Sequence, residues 1–242
     1  MKYIASVSWA KDSTAMLLHL LEIGAPLHIV IFYDTGMEFQ AIYNTRDTVL
    51  PLLKMRGIEY IELHPDRPFL YDMLERPVRG RERLGYGWCG GRCRWGTTAK
   101  IRAIDQYAEA SGAMVYVGIA ADETTRLEKE RKPYKIFPLA DWGFDEATCL
   151  SYCYEAGIYW EEDGGAGPVR LYEILDRVSC WCCCNKNLKE LRNIRKYLPQ
   201  YWEKLKDLQR RLERPMKGFY KGERRGIFEL EERFIKEQAQ CE

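Results

Sequence analysis

The strongest constraint on the fold is a regular alternation of short apolar segments and helical segments in the first half of the chain. The segments KYIASVS, LHIVIFYD, IEYIELH and AMVYVGIA are rich in β-branched and aromatic residues, and stretches with helical periodicity separate them. YKIFPL is a fifth, shorter strand candidate. Strands that are buried on both faces and joined by helices form parallel, doubly wound sheets. The pattern therefore predicts an α/β fold with a mainly parallel, five-stranded sheet.

The second half of the 242-residue chain has a different character. DEATCLSYCYEAGI is predicted to be a short helix, EEDGGAGP a loop, and residues 187 to about 214 one long charged helix that Pro215 ends. We predict two domains. Residues 1–160 form the α/β domain, with an inserted basic, cysteine-bearing loop at about 76–96, and residues 161–242 form a cysteine-rich helical appendage packed on the core.

Bulk charge and hydropathy say little about partners. The chain has 37 Lys and Arg against 36 Asp and Glu, a net charge of +1, which offers no electrostatic argument for nucleic acid or a membrane surface. No window approaches the roughly 18 apolar residues of a spanning helix, and the start MKYIASVSWAKDS does not resemble a leader. We expect a cytoplasmic protein with no membrane partner, and the sequence leaves a homodimer open.

The segment SVSWAKDSTAM, residues 6–16, joins the first strand to the first helix. Free N–H groups and the helix dipole make such a helix N-terminus an anion site, and Lys11 adds a point charge. We expect Asp12 to cap the helix, and Ser13 and Thr14 to offer hydroxyls to a phosphate. Ligands of parallel sheets bind at the carboxyl ends of the strands, where this loop lies. These residues favour a phosphate site.

Two features of the same segment oppose that interpretation. Trp9 and Ala10 stand where phosphate loops usually carry glycine, which lets the backbone approach a ligand closely. The Walker A pattern G-x-x-x-x-G-K-[ST] is also absent. On residue chemistry alone, an ordinary capped helix after a strand explains the segment equally well.

Four ordered motifs nevertheless resemble those of one superfamily. Residues 8–13, SWAKDS, resemble the PP-loop S-G-G-K-D-S of the phosphoadenosine phosphosulfate (PAPS) reductase and ATP pyrophosphatase superfamily. YDTGMEF at 33–39, GIAADETTR at 118–126 and FPLADW at 137–142 resemble its D-T-G-x-x-F, G-I-R-x-x-E-S-x-R and P-L-x-x-W segments. The resemblance covers roughly residues 1–205 and implies an adenine nucleotide alpha hydrolase-like sheet. Besides the two loop glycines, the chain departs from the family at Ala120, which replaces an arginine.

The resemblance implies an adenine-nucleotide site that takes ATP with Mg²⁺, or PAPS. Its catalytic residues would be Lys11, Asp12 and Ser13, with Ser8, Lys11 and Ser13 on the leaving pyrophosphate. The implied nucleotide-binding residues are Ser6, Ser8, Trp9, Ala10, Lys11, Ser13, Thr14, Asp34, Thr35, Gly36, Gly118, Ile119, Asp122, Glu123 and Arg126.

The nine cysteines call for a chemical explanation, since structural disulfides are uncommon in a reducing cytosol. Cys89 and Cys93 form one close pair, and CWCCC at 180–184 supplies Cys180 and Cys183 as the natural second pair. Four such thiolates can enclose a tetrahedral Zn²⁺ or hold an iron–sulfur cube. Cys182 or Cys184 could substitute in the second pair. The alternative is free thiols without a ligand.

The same resemblance extends to the cysteines. Assimilatory adenosine phosphosulfate (APS) reductases and DNA phosphorothioation proteins of the superfamily carry a four-cysteine [4Fe–4S] cluster, and the segment from Trp88-Cys89 to Lys100 partly resembles theirs. Cys149 and Cys153 lie at i and i+4 on one helix and are expected to pack in its apolar face. Cys241 lacks the E-C-G-x-H context of the catalytic cysteine in PAPS reductases, so it is interpreted as a terminal cysteine without a role.

The arginine- and aromatic-rich segment ERPVRGRERLGYGWCGGRCRW has two interpretations. It is either a mobile flap that brings charge and stacking rings to the substrate, or a solvated loop that anchors its cysteines. KGFYKGERRG and the charged helix are interpreted as solvated faces. The three histidines, His19, His28 and His64, are interpreted as packing or surface residues.

The leading functional hypothesis is an ATP-dependent enzyme that adenylylates an acceptor, releases pyrophosphate and is linked to sulfur transfer, with a small molecule or a nucleic acid as acceptor. The first alternative is a true PAPS or APS reductase that releases sulfite, and the missing E-C-G-x-H ending weighs against it. The second is a non-catalytic nucleotide-binding partner or sensor with a zinc clamp, which the altered loop and Ala120 would suit.

Overall fold

A computed structural model describes residues 1–129 and 132–240. Five parallel strands form the main sheet in the order β3-β2-β1-β4-β5, which confirms the predicted fold class. The strands are β1 (Tyr3–Ser6), β2 (Ile29–Tyr33), β3 (Glu59–Leu63), β4 (Met114–Val117) and β5 (Lys135–Ile136). Cys241 lies outside the described residues, so its interpretation stays a prediction.

Every residue of β2 is buried, as expected for a strand near the centre of a doubly wound sheet. One face of the sheet packs on a helix through a cluster of buried apolar side chains. Its members are Ile4, Ile29, Ile31, Ile104, Ala108, Ala113 and Val115. The β-branched residues that made the strands recognisable in the sequence therefore also form this core.

The helices of the described chain are α1 (Lys11–Glu22), α2 (Gln40–Met55), α3 (Phe69–Leu74), α4 (Ala99–Ser111), α5 (Thr124–Lys129), α6 (Pro138–Asp141), α7 (Glu146–Glu155), α8 (Leu171–Ile174), α9 (Leu188–Tyr197), α10 (Pro199–Arg210) and α11 (Ile227–Ala239). A π-helical turn, Arg94–Thr98, precedes α4. Gly112 ends α4 in the left-handed conformation and donates its N–H to the carbonyls of Ala108 and Glu109.

The chain divides into two compact units. The first contains the main sheet and consists of Met1–Thr35, Gln40–Pro65 and Thr98–Trp160; the second consists of Gly36–Phe39, Asp66–Thr97 and the chain from Glu161 onward. The second unit thus includes the cysteine-bearing loop that was predicted as an insertion in the first domain. The predicted domain boundaries stay a prediction, because compactness does not show which segments fold independently.

The segment EEDGGAGP was predicted to be a loop, and this was wrong. Strands β6 (Glu161–Asp163) and β7 (Pro168–Arg170) pair antiparallel around it. Gly164 donates its N–H to the carbonyl of Gly167 at 2.9 Å, which closes the turn. The first arm is acidic (Glu-Glu-Asp) and the second is Pro-Val-Arg, and arms of three residues are too short to show apolar alternation, so neither was recognised as a strand.

The single charged helix predicted from residue 187 to about 214 was also wrong. Leu198, with φ −131° and ψ 61°, separates α9 from α10, and Pro199 is the first residue of α10. Proline disfavours the helical conformation in the residue before it but suits the first position of a helix. After α10, the strands β8 (Phe219–Tyr220) and β9 (Glu223–Arg224) form a small antiparallel hairpin.

Among the described residues, none of the helices combines the length and apolarity needed to cross a membrane.

Candidate functional site

The loop between β1 and α1 starts the helix at Lys11, at the carboxyl end of β1. Ala10 is the N-cap in an extended conformation, φ −84° and ψ 167°, and it makes no side-chain cap. Asp12, predicted as the N-cap, lies instead in the first turn of α1, so that prediction was wrong. The reason is that the chain enters the helical conformation one residue before Asp12.

Trp9 has φ 60°, in the left-handed region that glycine adopts freely. For a residue with a side chain, this conformation costs about 1–3 kcal/mol and persists only where its surroundings hold it. The indole of Trp9 is fully buried and lies 6.1 Å from the ring of Tyr60, centroid to centroid. Its carbonyl accepts a 2.7 Å hydrogen bond from Nε1 of Trp160. Trp9 therefore keeps the backbone conformation of a glycine.

The two serines of the loop bind each other. Ser13 Oγ accepts the N–H of Ser8 at 3.0 Å, lies 2.9 Å from Ser8 Oγ and donates to the carbonyl of Ala10 at 3.2 Å. These bonds close the loop around its own hydroxyl groups. Thr14 is fully buried and Ser6 is half-buried, so the loop offers Ser8 and Ser13 rather than Thr14 to a ligand.

Lys11 is nearly buried and paired with two carboxylates. Its Nζ lies 2.6 Å from Oδ1 of Asp12 and 2.8 Å from Oε2 of Glu146. Burial works to lower the pKa of Lys11, but the two carboxylates outweigh it and leave that pKa raised. Burial also raises the pKa of Asp12, and Lys11 opposes this effect. The two carboxylates thus favour the charged ammonium, and they compete with a phosphate for its N–H donors.

Glu146 is a residue of the site that the sequence did not reveal. It is the first residue of α7, and Asp145 caps that helix by accepting the N–H of Thr148 at 2.7 Å. The sequence DEAT contains a recognisable helix-capping signal. The contact of Glu146 with Lys11, in contrast, spans 135 residues and depends on tertiary packing.

Gly118 follows β4 and supports the first turn of α1. A Cβ atom at this position would lie 2.7 Å from Ser13 Cα and 2.9 Å from Ser13 N, closer than real Cβ contacts. The glycine of the G-I motif is therefore required by close backbone packing. Ile119 and Ala120 are fully buried, so the position of the family arginine holds a small core residue here.

The residues predicted for the far wall lie beside the partner of Lys11. Asp122 Oδ1 accepts the N–H of Glu146 at 3.3 Å. Glu123 accepts two hydrogen bonds from Nη1 of Arg126, at 2.9 and 3.2 Å. The segment after β4 thus meets the start of α7 close to Lys11, which brings together motifs that are distant in the sequence.

The segment after β2 begins with Asp34, whose N–H donates to the carbonyl of Leu63 at 2.8 Å and whose Oδ1 accepts the hydroxyl of Tyr43 at 2.8 Å. Thr35 is buried, and Gly36 has a left-handed φ of 72°. Within the described part of the chain, Asp34, Glu62 and His64 each place one ligand atom within 4.8 Å of the others.

That Asp34–Glu62–His64 group is already occupied in part by protein donors. Glu62 pairs with Arg46 at 3.0 Å and accepts the hydroxyl of Tyr60 at 2.7 Å. His64 is exposed, as expected of a surface residue, and its Nε2 lies 3.5 Å from Oε1 of Glu62. Glu62 is therefore already paired with the guanidinium of Arg46 in the structure.

The two cysteine segments of the second unit are joined through one side-chain amide. Asn185 accepts the N–H of Gly91 at 2.9 Å and donates to the carbonyl of Gly91 at 2.7 Å. Gly91 lies between Cys89 and Cys93, and Asn185 directly follows Cys184. This pair of bonds brings the two clusters together, as the predicted four-cysteine site requires.

The thiols of the two segments interact electrostatically. Burial raises the pKa of Cys93 to about 11, and Cys89 adds to the shift. Burial likewise raises the pKa of Cys184 to about 11, with further contributions from Cys183, Cys89 and Cys93. The hydrogen bonds between Asn185 and Gly91 place the segment of Cys184 beside that of the first pair.

Burial also affects two further thiols of CWCCC, that of Cys182, which is buried, and that of Cys180, which is half-buried. Burial raises the pKa of Cys182 well above its usual value, with Cys183, Glu38 and Cys93 adding to the effect. Burial does the same for the pKa of Cys180, with Glu38 and its neighbours Cys182 and Cys183 adding. The ligand set Cys89, Cys93, Cys180 and Cys183 stays a prediction, and so does its alternative, in which Cys182 or Cys184 takes a place in the second pair.

Two lysines surround these thiols with positive charge. Lys186 is buried over the ring of Phe39, donates to Ser179 Oγ at 3.1 Å, and has its pKa lowered by burial. Lys217 donates to the carbonyls of Cys184 and Lys186 at 2.8 and 2.9 Å. Clustered thiols beside buried cations are the donor chemistry that suits an anionic, thiolate-ligated metal centre.

The arginine-rich loop forms a short hairpin in which Pro77 and Leu84 pair antiparallel. The guanidinium of Arg94 lies 5.2 Å from the ring of Tyr86 and 5.6 Å from that of Trp95. Trp95 and Trp88 are buried. These two indoles are therefore packing residues, and the suggestion that they stack on an exposed base was wrong.

Cys149 and Cys153 are fully buried in α7, which confirms that they pack in the protein interior. The thiol of Cys153 lies 3.5 Å from the carbonyl oxygen of Lys11 and donates to it. Burial raises the pKa of Cys149 to about 12. Both thiols thus stay protonated and support the start of α1.

The sequence matches the phosphoadenosine phosphosulfate reductase domain over residues 2–161. The chain belongs to that family. The match spans the main sheet, the β1–α1 loop, Gly118 and α7, so the family segments are those that meet around Lys11.

Two individual proteins are similar to this family member. An uncharacterized protein of Methanocaldococcus jannaschii, MJ0066, is 25% identical over 221 residues, which are 86% of this chain. The chain spans only 41% of that relative's length. The structure of the U34-tRNA thiolase NcsA of Methanococcus maripaludis, solved with its [4Fe-4S] cluster, is also similar, with a TM-score of 0.47 and 15% sequence identity. The superposed region covers 66% of this chain and 58% of the NcsA chain.

Proposed function

We propose that this protein binds ATP with Mg²⁺ at the β1–α1 loop and transfers AMP to an acceptor with release of pyrophosphate. The observation that carries the proposal is the start of α1 at Lys11, at the carboxyl end of β1 and directly after the N-cap Ala10, whose side chain has no hydrogen-bond acceptor. The N–H groups of such a helix end bind phosphate oxygens. Membership of the PAPS reductase family supports an adenine nucleotide as the ligand.

The leaving pyrophosphate would lie against Ser8, Lys11 and Ser13. Ser8 and Ser13 would exchange their mutual 2.9 Å contact for phosphate oxygens, and Lys11 would exchange Glu146 for them. Asp12 would orient the loop or the metal. Mg²⁺, when bound, neutralises charge on the phosphate oxygens. Charge stabilisation by these groups would supply most of the rate.

The other predicted nucleotide-binding residues form two groups: residues that would line the site, and residues that would contribute mainly backbone groups. Asp34, Thr35 and Gly36 would line the nucleoside side, and Asp122, Glu123 and Arg126 the opposite wall. The remaining predicted positions are buried or half-buried and would contribute mainly backbone groups; they are Ser6, Trp9, Ala10, Thr14, Gly118 and Ile119.

The reaction itself would be a displacement at the α-phosphorus. An oxygen or sulfur atom of the acceptor forms a bond to that phosphorus, and the bond from it to the bridging oxygen breaks. Pyrophosphate leaves with the bonding electron pair. Lys11 and the N–H groups at the start of α1 stabilise the charge that develops on it.

The cysteines would give this reaction its link to sulfur chemistry. Cys89, Cys93, Cys180 and Cys183 would hold a [4Fe–4S] cluster or Zn²⁺, with Cys182 or Cys184 as the alternatives in the second pair. An iron–sulfur cluster supplies redox or sulfur-binding chemistry, whereas zinc supplies a structural clamp. The acceptor would then be a small molecule or a nucleic acid, and a homodimer remains a prediction.

A comparison of the protein's affinities for two nucleotides tests the proposal. The protein, purified without oxygen, is titrated calorimetrically with ATP plus Mg²⁺ and, separately, with PAPS. We expect tighter binding of ATP. Preference for PAPS would replace the proposal with a sulfonucleotide reductase, and binding of neither would contradict both.

A further inference from the structure

One continuous segment, from α7 to Trp160, touches the β1–α1 loop at three points. Glu146 contacts the ammonium of Lys11, and the thiol of Cys153 contacts the carbonyl of Lys11 at 3.5 Å. The indole N–H of Trp160 donates to the carbonyl of Trp9 at 2.7 Å. Two of these contacts hold loop backbone rather than side chains.

Trp160 contacts Trp9, the loop residue with the least favourable backbone conformation. Trp9 has a left-handed φ of 60°, where glycine is favoured and a bulky residue is strained. The indoles of both tryptophans are almost completely buried, with exposed fractions of 0% for Trp9 and 1% for Trp160. The hydrogen bond is therefore shielded from water and fixes the direction of the Trp9 carbonyl.

We propose that Trp160 is a positioning residue that holds the loop ready for phosphate by fixing the left-handed conformation of Trp9. The inference rests on the proposed binding of ATP at this loop. Trp9 immediately precedes the N-cap Ala10, so the direction of its peptide sets where the N–H groups of α1 point. The hydrogen bond from the indole of Trp160 thus stabilises, at Trp9, a left-handed conformation that a glycine would adopt freely.

The substitution Trp160→Phe tests this role because it keeps an aromatic ring and removes the N–H donor, together with part of the buried indole volume, a loss that a control variant can match. Trp202→Phe is the matched control. Trp202 is 2% exposed and donates its Nε1–H to Glu231 at 2.8 Å, between α10 and α11. Both variants lose one buried indole hydrogen bond, but only the first loses it at the loop.

Two measurements are made on the full chain: calorimetric affinity for ATP plus Mg²⁺, and amide hydrogen exchange of the peptide that contains residues 8–13. We expect Trp160→Phe to weaken ATP binding about tenfold, the effect of one buried hydrogen bond, and to speed exchange in this peptide. Trp202→Phe should change neither, although its thermal unfolding midpoint falls by a similar amount.

The outcomes separate the two proposals. If the wild-type protein does not bind ATP, the proposed function fails, while the exchange measurement still decides the role of Trp160. If Trp160→Phe matches Trp202→Phe in the exchange of residues 8–13, Trp160 does not position the loop and the inference is wrong.

Discussion

The β1–α1 loop and the cysteine segments hold their reactive groups in opposite ways. In the loop, the side chains are paired with one another: Lys11 with two carboxylates, and Ser8 with Ser13. In the cysteine segments, burial raises the pKa of thiols such as Cys93 and Cys184, and the fixed contacts are made largely to the backbone.

Because of this difference, the two regions must change in different ways when they bind a ligand. The loop is already charged and must exchange partners, so its affinity depends on the strength of the internal pairs. A cysteine binds a metal as its thiolate, and burial raises the pKa of Cys93 and Cys184, so metal binding here couples to proton release. The buried Lys186 and the carbonyl-bound Lys217 favour that release.

The largest effect is expected at the cysteines. Cys89→Ser should remove essentially all bound iron or zinc, because a hydroxyl at this position cannot replace the thiolate. Cys149→Ser, in a fully buried position of α7, should keep the wild-type metal content. Metal analysis after purification without oxygen makes the comparison, and equal loss in both variants would contradict the assigned ligand segment.

The next largest effect is expected from a methyl group at the base of the loop. Gly118→Ala places a Cβ 2.7 Å from Ser13 Cα, so the first turn of α1 must shift. We expect the free energy of unfolding to fall by about 1–3 kcal/mol, and ATP affinity to fall at least about tenfold.

Gly90→Ala is the control for Gly118→Ala. A Cβ at Gly90 meets nothing within 4 Å, and this glycine lies in the cysteine segment. Urea unfolding and ATP titration should show lower stability and lower ATP affinity in Gly118→Ala, and neither change in Gly90→Ala. Unchanged ATP binding in Gly118→Ala would show that phosphate contacts do not depend on the start of α1.

The smallest effect has the opposite sign. Glu146→Gln removes a carboxylate that competes with phosphate for Lys11, so ATP affinity should rise by about two- to fivefold, the worth of a partly exposed ion pair. Glu22→Gln, at the other end of α1, should leave affinity unchanged. Calorimetric titration at low salt measures both, and weaker binding in Glu146→Gln would mean that Glu146 assists the nucleotide or its metal.

The sheet was predictable because its signal is local. Each strand is a run of apolar residues such as IVIFY, and the helices between them keep their own periodicity. The break between α9 and α10 was also encoded locally, at Leu198-Pro199, but charged periodicity on both sides concealed it. The β6–β7 hairpin had no comparable signal, since its arms, Glu-Glu-Asp and Pro-Val-Arg, are short and its Gly-rich turn is also typical of a loop.

The site was only partly predictable. Lys11, Ser13 and Gly118 were identified through their motifs, but the pairing of Lys11 with Glu146 is a contact across 135 residues. Trp9, which has a left-handed conformation, accepts a hydrogen bond from Trp160, 151 residues away. For the cysteines, spacing identified the segments, whereas the proximity of Cys184 to the first pair follows from Asn185 and Gly91.

The most direct test of the account is calorimetric titration of ATP plus Mg²⁺ into two lysine variants. Lys11→Ala removes the cation at the start of α1, and Lys135→Ala removes a similarly buried lysine whose partner is Asp105, at 3.2 Å. The account predicts that Lys11→Ala weakens ATP binding at least about tenfold, the value of a charge-assisted contact, while Lys135→Ala binds ATP like the wild type. Equal affinity in both variants would contradict the placement of the triphosphate at the β1–α1 loop.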